Sequence, residues 1–146
     1  MTGYSAIGLV NTKIEANVGG VLRACTCYKV SLVIIQGQRY KRLSSDTTAA
    51  TRQIPLIQTS DILESIPFDC VPVCVEITEG SRSLFTFQHP KRAIYIFGPE
   101  DGSIPKSILE KCQLIVKIPT AYCMNLAATA NVILYDRMLK ASKNES

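Results

Sequence analysis

The sequence lacks the signals of a membrane protein and of a secreted protein. No apolar run approaches the roughly 20 residues that a membrane-spanning helix needs, and the amino terminus, M-T-G-Y-S-A, has no basic region before an apolar core. Apolar residues make up 47% of the chain and charged residues only 19%, which excludes a disordered or fibrous protein. We therefore expect a cytosolic protein with a single domain over residues 1–146 and a frayed tail at 141–146.

The signatures of common nucleotide-binding domains are also absent. No G-x-G-x-x-G follows the first predicted strand, and no G-x-x-x-x-G-K-S/T occurs anywhere. The chain has no internal repeat and no low-complexity segment. These absences argue against an ordinary dinucleotide-binding domain and against a P-loop domain.

The cysteines lack the spacing of a zinc site. Cys25-x-Cys27 and Cys70-x3-Cys74 have neither a second C-x-x-C nor a pair of histidines beside them. Cys25, Cys70, Cys74 and Cys112 lie within or beside apolar runs, where free cysteine packs as a small hydrophobic residue. A cytosolic domain of this size needs no disulfides, so we expect buried free thiols and no metal.

Short apolar runs alternate with helical patterns along the chain. The runs that predict strands are 6–10, 32–35, 55–57, 71–77, 93–97 and 114–118. The predicted helices begin at Asn17, at Ser60 or Asp61, near Ser81 and at Ile104-Pro105, and the last covers 124–140. This alternation predicts an α/β fold with a mainly parallel sheet and helices on both faces.

The chain from Ile94 to Leu126 contains the candidate site. Loops leave the predicted strands 93–97 and 114–118, and they carry Gly, Glu and Asn instead of bulky apolar residues. Small-molecule sites in open α/β sheets form at the carboxyl ends of the strands. Asn17 and Asn125 each precede an apolar helical pattern, so both are also expected to cap a helix.

Three segments resemble the signature motifs of one enzyme family. N-V-G-G-V-L-R at 17–23, F-G-P-E-D-G at 97–102, and I-P at 118–119 followed by M-N-L at 124–126 are similar to the three motifs of the SpoU branch of SPOUT RNA methyltransferases. The resemblance implies a deep trefoil knot near the carboxyl terminus. It also implies S-adenosylmethionine as cofactor, RNA as substrate, a homodimer, and methyl transfer to a ribose 2′-hydroxyl.

The resemblance also assigns the site residues. The catalytic positions are Asn17, Arg23, Glu100 and Asn125. Because a guanidinium stays protonated, we expect Arg23 to bind a phosphate and polarise the hydroxyl instead of acting as a base. The cofactor would contact mainly backbone groups at the positions that match the family's three loops: Glu76, Gly98, Ile118, Cys123, Met124 and Leu126.

A basic cluster is the candidate RNA contact. The chain carries a net charge of +4, and Arg39, Lys41 and Arg42 surround Tyr40, whose ring can stack on a base. The pair Lys91-Arg92 is interpreted as part of a solvated loop. His89, the only histidine, matches no family motif and is also expected in a loop.

The last predicted helix indicates a dimer. Apolar residues follow one face of it, and others lie around that face, so the helix is expected to be buried on most sides. The residues on the first face are Leu126, Ala130, Ile133, Leu134 and Met138, and those around it are Ala127, Val132 and Tyr135. We expect a homodimer with a composite RNA site.

The substrate is left open between several alternatives. A bare domain of this size resembles the enzymes that modify the tRNA wobble nucleotide. An rRNA position, another tRNA position, or methylation of a base are alternatives. Cys123 stands where the family usually has serine, and the loop 119–123 is about three residues shorter than the resemblance predicts. A catalytically inactive RNA-binding module is therefore a further alternative.

Overall fold

The computed structural model describes residues 3–13, 15–37 and 54–145, and the strands within them form one sheet. The strands are β1 Tyr4–Val10, β2 Leu32–Gln36, β3 Leu56–Thr59, β4 Val71–Val75, β5 Arg82–Ser83, β6 Arg92–Phe97 and β7 Leu114–Lys117. The α-helices are α1 Glu15–Cys27, α2 Lys106–Leu109 and α3 Leu126–Glu145, and two 3₁₀ helices span Ile62–Ser65 and Leu84–Thr86.

The sheet is parallel throughout and has the order β3-β2-β1-β6-β4-β7-β5. The prediction of an α/β fold with a parallel sheet is thus confirmed. The central strands are covered on both faces, and all residues from Ala6 to Val10 and from Ala93 to Phe97 are buried. This double burial explains why the sequence shows continuous apolar runs there instead of alternation. The trefoil knot and the division into one domain stay predictions.

Helices pack on both faces of the sheet. α1 and α3 cover the face that includes Ile7, Tyr95 and Phe97. The first 3₁₀ helix and α2 cover the opposite face, which includes Ile34 and Ile96. Alternate residues of the central strands β1 and β6 enter the two layers, as the pleat of a strand requires.

Two predicted elements have different bounds or a different type. The predicted strand 71–77 ends at Val75. The segment 81–87, predicted as a short helix, contains β5 and a 3₁₀ helix instead. Ser83 is the reason, since its side chain accepts a hydrogen bond from the backbone N–H of Phe85 and so starts the 3₁₀ helix directly after the strand.

The last helix is longer than predicted. It runs from Leu126 to Glu145 instead of ending near Lys140, so the segment expected to fray is helical. Lys140 anchors this end by donating to the carbonyl oxygens of Leu84 and Phe87.

One residue of the predicted buried face of α3 is exposed. Met138 is 52% exposed, whereas the neighbouring Arg137 is buried. Arg137 takes the position facing the sheet because its guanidinium reaches backbone carbonyl oxygens there, including those of Pro90 and Lys91. The prediction for Met138 is therefore wrong.

The predicted core cysteines are buried and free. Cys25, Cys70, Cys74 and Cys112 all pack in the interior. Burial raises the pKa of the Cys25 thiol to about 12, so that thiol stays protonated and packs as an apolar group. Within the described ranges, no helix combines the length and apolar character that crossing a membrane requires.

Candidate active site

The three loops predicted to hold the cofactor lie side by side. In the sheet, β4 lies between β6 and β7, and Val75 is paired with both Phe97 and Val116. The chain therefore leaves all three strands at the same level of the carboxyl edge. Glu76 and Gly98 follow these paired positions directly, and Ile118 follows the end of β7.

Glu76 connects the three loops. Its Oε2 accepts a 2.9 Å hydrogen bond from the backbone N–H of Ile104, in the segment that follows β6. Its backbone N–H donates to the carbonyl oxygen of Val116 at 3.1 Å. The hydroxyl of Ser81 donates to its carbonyl oxygen at 2.6 Å. The side chain and the backbone of Glu76 thus both hold the site together.

Gly98 lies where the chain returns over itself. A Cβ at this position would lie 2.7 Å from the backbone nitrogen of Ile104 and 3.0 Å from the carbonyl carbon of Ser103. The obstacle is backbone, which cannot rotate away as a side chain can. The glycine in F-G-P-E-D-G is therefore required by this close approach.

Glu100 joins the second motif to the first. Asn17 Nδ2 donates a 2.9 Å hydrogen bond to Oε2 of Glu100, and the backbone N–H of Lys13 donates to Oε1 at 3.0 Å. Asn17 is the third residue of α1, which begins at Glu15. The prediction that Asn17 caps this helix is wrong, because its side chain faces the acidic group of the second motif instead.

Arg23 lies on the same helix, six residues beyond Asn17 and about 9 Å further along the axis. Its side chain is exposed. No hydrogen bond or ion pair links its guanidinium to the part of the chain that the structure describes. The structure thus brings Asn17 and Glu100 together and leaves Arg23 accessible to an external anion.

Asn125 caps α3, as predicted. Its Oδ1 accepts a 2.8 Å hydrogen bond from the backbone N–H of Ala128. Of its neighbours, Cys123 is exposed, Met124 is half-buried, and the side chain of Leu126 belongs to the core. Because the Leu126 side chain is buried, only its backbone is available to a ligand.

The first and third motifs meet through helix packing. A Cβ on Gly20 would lie 2.7 Å from Cβ of Ala127. This close approach of α1 and α3 sets the start of α3, with Asn125, beside the helix that carries Asn17. All three motifs therefore converge at one place.

The basic cluster predicted to contact RNA, Arg39, Lys41 and Arg42, lies outside the described residues. Among the residues that are described, no group of three or more His, Cys, Asp or Glu side chains is placed to hold a metal ion.

A buried polar network at the other edge of the sheet was not predicted. His89 Nδ1 lies 2.7 Å from the Tyr95 hydroxyl, and Nε2 lies 2.7 Å from Oδ2 of Asp136. Arg137 donates to the same hydroxyl at 3.0 Å. A solitary His before a Pro gives no sign of these partners, which come from β6 and α3.

This network favours neutral His89. With the proton on Nε2 the imidazole donates to Asp136, and Nδ1 accepts from the Tyr95 hydroxyl. A second ring proton would turn Nδ1 into a donor, so the Tyr95 hydroxyl would have to accept from both His89 and Arg137 and could no longer donate to the ring. Burial lowers the pKa of His89 and outweighs the opposing effect of the Asp136 carboxylate.

Known structures share this fold. One is an rRNA methyltransferase from Sinorhizobium meliloti with AdoMet bound, with a TM-score of 0.81 and 21% identity over 96% of this chain and 57% of that chain. A tRNA-modifying TrmH/SpoU enzyme from A. aeolicus has a TM-score of 0.83 and 16% identity, covering 97% of this chain and 77% of that one.

A third structure has nearly the same length. It concerns 2-OH methylation of C/U34 on tRNA, with a TM-score of 0.81 and 19% identity over 98% of this chain and 99% of that chain. The chain thus spans little more than half of the Sinorhizobium protein and almost all of this one. At these identities the likeness shows the fold alone.

Sequence comparison identifies the family. A search of curated proteins gave no significant match. The model of the SpoU rRNA Methylase family, however, matches residues 5–135, which include all three motifs and six of the seven strands completely. The remaining strand, β1, is matched from its second residue onward. The chain therefore belongs to the SpoU methylase family of RNA methyltransferases.

Proposed function

We propose that this protein transfers a methyl group from S-adenosylmethionine to a ribose 2′-hydroxyl of tRNA, at the wobble nucleotide. The observation that carries the proposal is the contact between Asn17 and Glu100, which joins the first motif to the cofactor loops. A structural likeness supports the choice of substrate, since the chain covers 99% of a structure that concerns 2-OH methylation of C/U34 on tRNA.

The loops at Glu76, Gly98 and Ile118 fit a cofactor of this kind. Two large apolar side chains stay exposed on them, Ile77 at 66% and Tyr122 at 87%. Exposed apolar groups beside polar backbone suit a ligand with an apolar ring and polar edges. The cofactor would supply a methyl group on a sulfonium, which needs little activation.

Arg23 acts on the acceptor. A 2′-hydroxyl is a poor nucleophile that must lie in line with the methyl group, so positioning supplies much of the rate acceleration. The hydroxyl proton would pass to solvent water as the oxygen bonds to the methyl carbon, and the sulfur would leave as the neutral thioether of S-adenosylhomocysteine. The accessible guanidinium binds the phosphate next to the target ribose and stabilises negative charge on the attacking oxygen. It is a cation throughout and serves as no base.

Glu100 and Asn17 position the site. Both carboxylate oxygens of Glu100 accept hydrogen bonds, one from Asn17 in the first motif and one from Lys13 just before it, which leaves the carboxylate better suited to orienting groups than to removing a proton. Asn17, held by Glu100, orients the ribose, and Asn125 fixes the start of α3. The Arg39, Lys41 and Arg42 cluster adds contacts to the RNA backbone.

The test is mass spectrometry of nucleosides from RNA of cells with and without the protein. The expected result is the loss of one 2′-O-methylated wobble nucleoside from tRNA. Purified protein and tritiated S-adenosylmethionine should then label ribose in the unmodified tRNA. Label on a base, label in rRNA, or no cofactor binding by calorimetry would each contradict the proposal and identify, in turn, a base methylase, an rRNA enzyme or an inactive RNA-binding module.

A further inference from the structure

A cleft of about 880 Å³ lies against the second half of α3. It is bounded by the segment 85–91 and by α3 from Arg137 to Asn144, and it is called the Arg137 cleft below. Arg137 fixes its location. This residue donates to the carbonyl oxygens of Tyr4 and Lys91, which lie at the amino ends of β1 and β6.

The Arg137 cleft is lined by positive charge. Its basic lining residues are Lys91, Arg137, Lys140 and Lys143, and no acidic residue occurs among the described residues that line it. Lys140 is paired with Asp136 at 2.8 Å. Lys91 and Lys143 are exposed. The lining therefore attracts anions.

Arg137 strengthens this field from within. It is only 7% exposed, and the hydrogen bonds described for its guanidinium go to carbonyl oxygens and to the Tyr95 hydroxyl. These partners satisfy its donors without cancelling its charge. A buried cation with neutral partners gains from an anion placed nearby.

An aromatic side chain lies beside these cations. Phe85, another lining residue, is 77% exposed. Lysines that bind phosphates, next to an exposed ring on which a base can stack, are the combination that binds single-stranded nucleic acid. A purely phosphate-binding site would have no use for the exposed ring.

We propose that the Arg137 cleft binds an unpaired segment of the RNA substrate, away from the target nucleotide. This inference rests on the proposed function, which makes RNA the substrate. α3 leads from Asn125 at the active site to Lys140 at the cleft, a rise of roughly 22 Å. At about 3.4 Å per nucleotide along one stacked strand, that is roughly six nucleotides. The cleft thus binds a part of the RNA that the active site does not contact.

The experiment measures binding of a fluorescently labelled single-stranded RNA oligonucleotide by anisotropy over a range of salt concentrations. The variant is Lys91→Gln with Lys143→Gln, and Lys111→Gln is the control, because Lys111 is exposed near α2 on the other face of the sheet. Each removed phosphate contact should reduce the slope of log K against log salt by about 0.7. The magnitude of this slope should therefore be smaller by about 1.4 in the double variant, and it should be unchanged in the control.

Phe85→Ala separates stacking from charge. It should weaken binding about tenfold and leave the salt slope unchanged. If the double variant behaves like Lys111→Gln while the wild-type protein binds and methylates RNA, the proposal for the Arg137 cleft is wrong and the proposed function stands. If the wild-type protein binds no RNA, the proposal for the Arg137 cleft and the proposed function are both wrong.

Discussion

The side-chain amide of Asn17 donates a 2.9 Å hydrogen bond to Oε2 of Glu100, a residue 83 positions further along the chain. The bond links the helix that carries Arg23 to the loop that contains Gly98. Neither residue is close to the other in sequence, and each lies in a separate motif. Their contact joins the first motif to the second.

Replacing either member of this pair should affect stability and activity. Asn17→Ala leaves Oε2 of a part-buried carboxylate without this donor, which should cost about 1–3 kcal/mol of unfolding free energy. A double-mutant cycle with Glu100→Ala should give a coupling of about 0.5–3 kcal/mol. Asn131→Ala, which removes an exposed amide bonded within its own helix, is the control. If the two substitutions lower the free energy of urea unfolding additively, the contact contributes no coupling energy.

Arg23→Ala should slow methyl transfer strongly and preserve cofactor binding. Removing one group that stabilises developing negative charge lowers the rate about 10²–10³-fold, whereas the side chain is not assigned to the cofactor loops. The measurements are single-turnover transfer of tritiated methyl and calorimetry with S-adenosylhomocysteine. Lys111→Ala should retain both. Loss of calorimetric binding in the Arg23 variant would mean that Arg23 serves the cofactor.

Gly98→Ala should destabilise the cofactor loops. The added Cβ meets the backbone of Ile104 at 2.7 Å, so the loops must move apart, at a cost of about 1–3 kcal/mol as in other overpacked sites. Gly80→Ala is the matched control, since a Cβ there has no neighbour within 4 Å. Thermal unfolding and cofactor affinity should fall for the first variant only. Equal behaviour of the two alanine variants would refute the close approach.

His89 should make the protein less stable in mild acid. Its pKa is lowered from the ordinary value of 6.5, so below pH 6.5 the unfolded chain takes up a proton that folded His89 resists. Folding stability therefore decreases as the pH falls from 6.5 towards the folded pKa.

The variant His89→Gln isolates this effect. It has no titrating ring but keeps a donor for Asp136. The stability advantage of the wild-type protein, measured by urea unfolding at several pH values, should shrink between pH 7.5 and pH 5. If this advantage grew in acid instead, Asp136 would be stabilising the imidazolium. The other charged or titratable groups that act on His89 are Tyr95, Arg137 and Lys140.

The protein should be a homodimer that uses α3. Tyr135 and Met138 lie three residues apart on one side of this helix and are 50% and 52% exposed. Sedimentation at micromolar concentration should give about twice the 16.0 kDa chain mass. Tyr135→Asp with Met138→Asp should shift it to the monomer mass. Phe68→Asp, which replaces a more exposed apolar residue elsewhere, should not. An active monomeric wild-type protein would exclude the composite site.

The sequence predicted what depends on local pattern. Apolar runs located the strands, and Asn125 was correctly predicted to cap α3 because capping involves neighbouring residues. The same reasoning was wrong for Asn17, whose partner lies on a distant loop. The network of His89 was missed for the same reason, since Asp136 is 47 residues away. Arg137 likewise has no local signal, because only the folded sheet brings carbonyl oxygens to its guanidinium.

The pairing of β1 with β6 has a consequence for synthesis of the chain. Tyr4 is paired with Arg92 and Leu9 with Phe97, so β1 must wait for a strand that is synthesised much later. At about 5–20 residues per second, roughly 4–16 s pass on the ribosome before β6 emerges. During that time one edge of an apolar strand has no partner, which favours aggregation. An amino-terminal fragment that ends before Arg92 is therefore expected to precipitate or to depend on a chaperone.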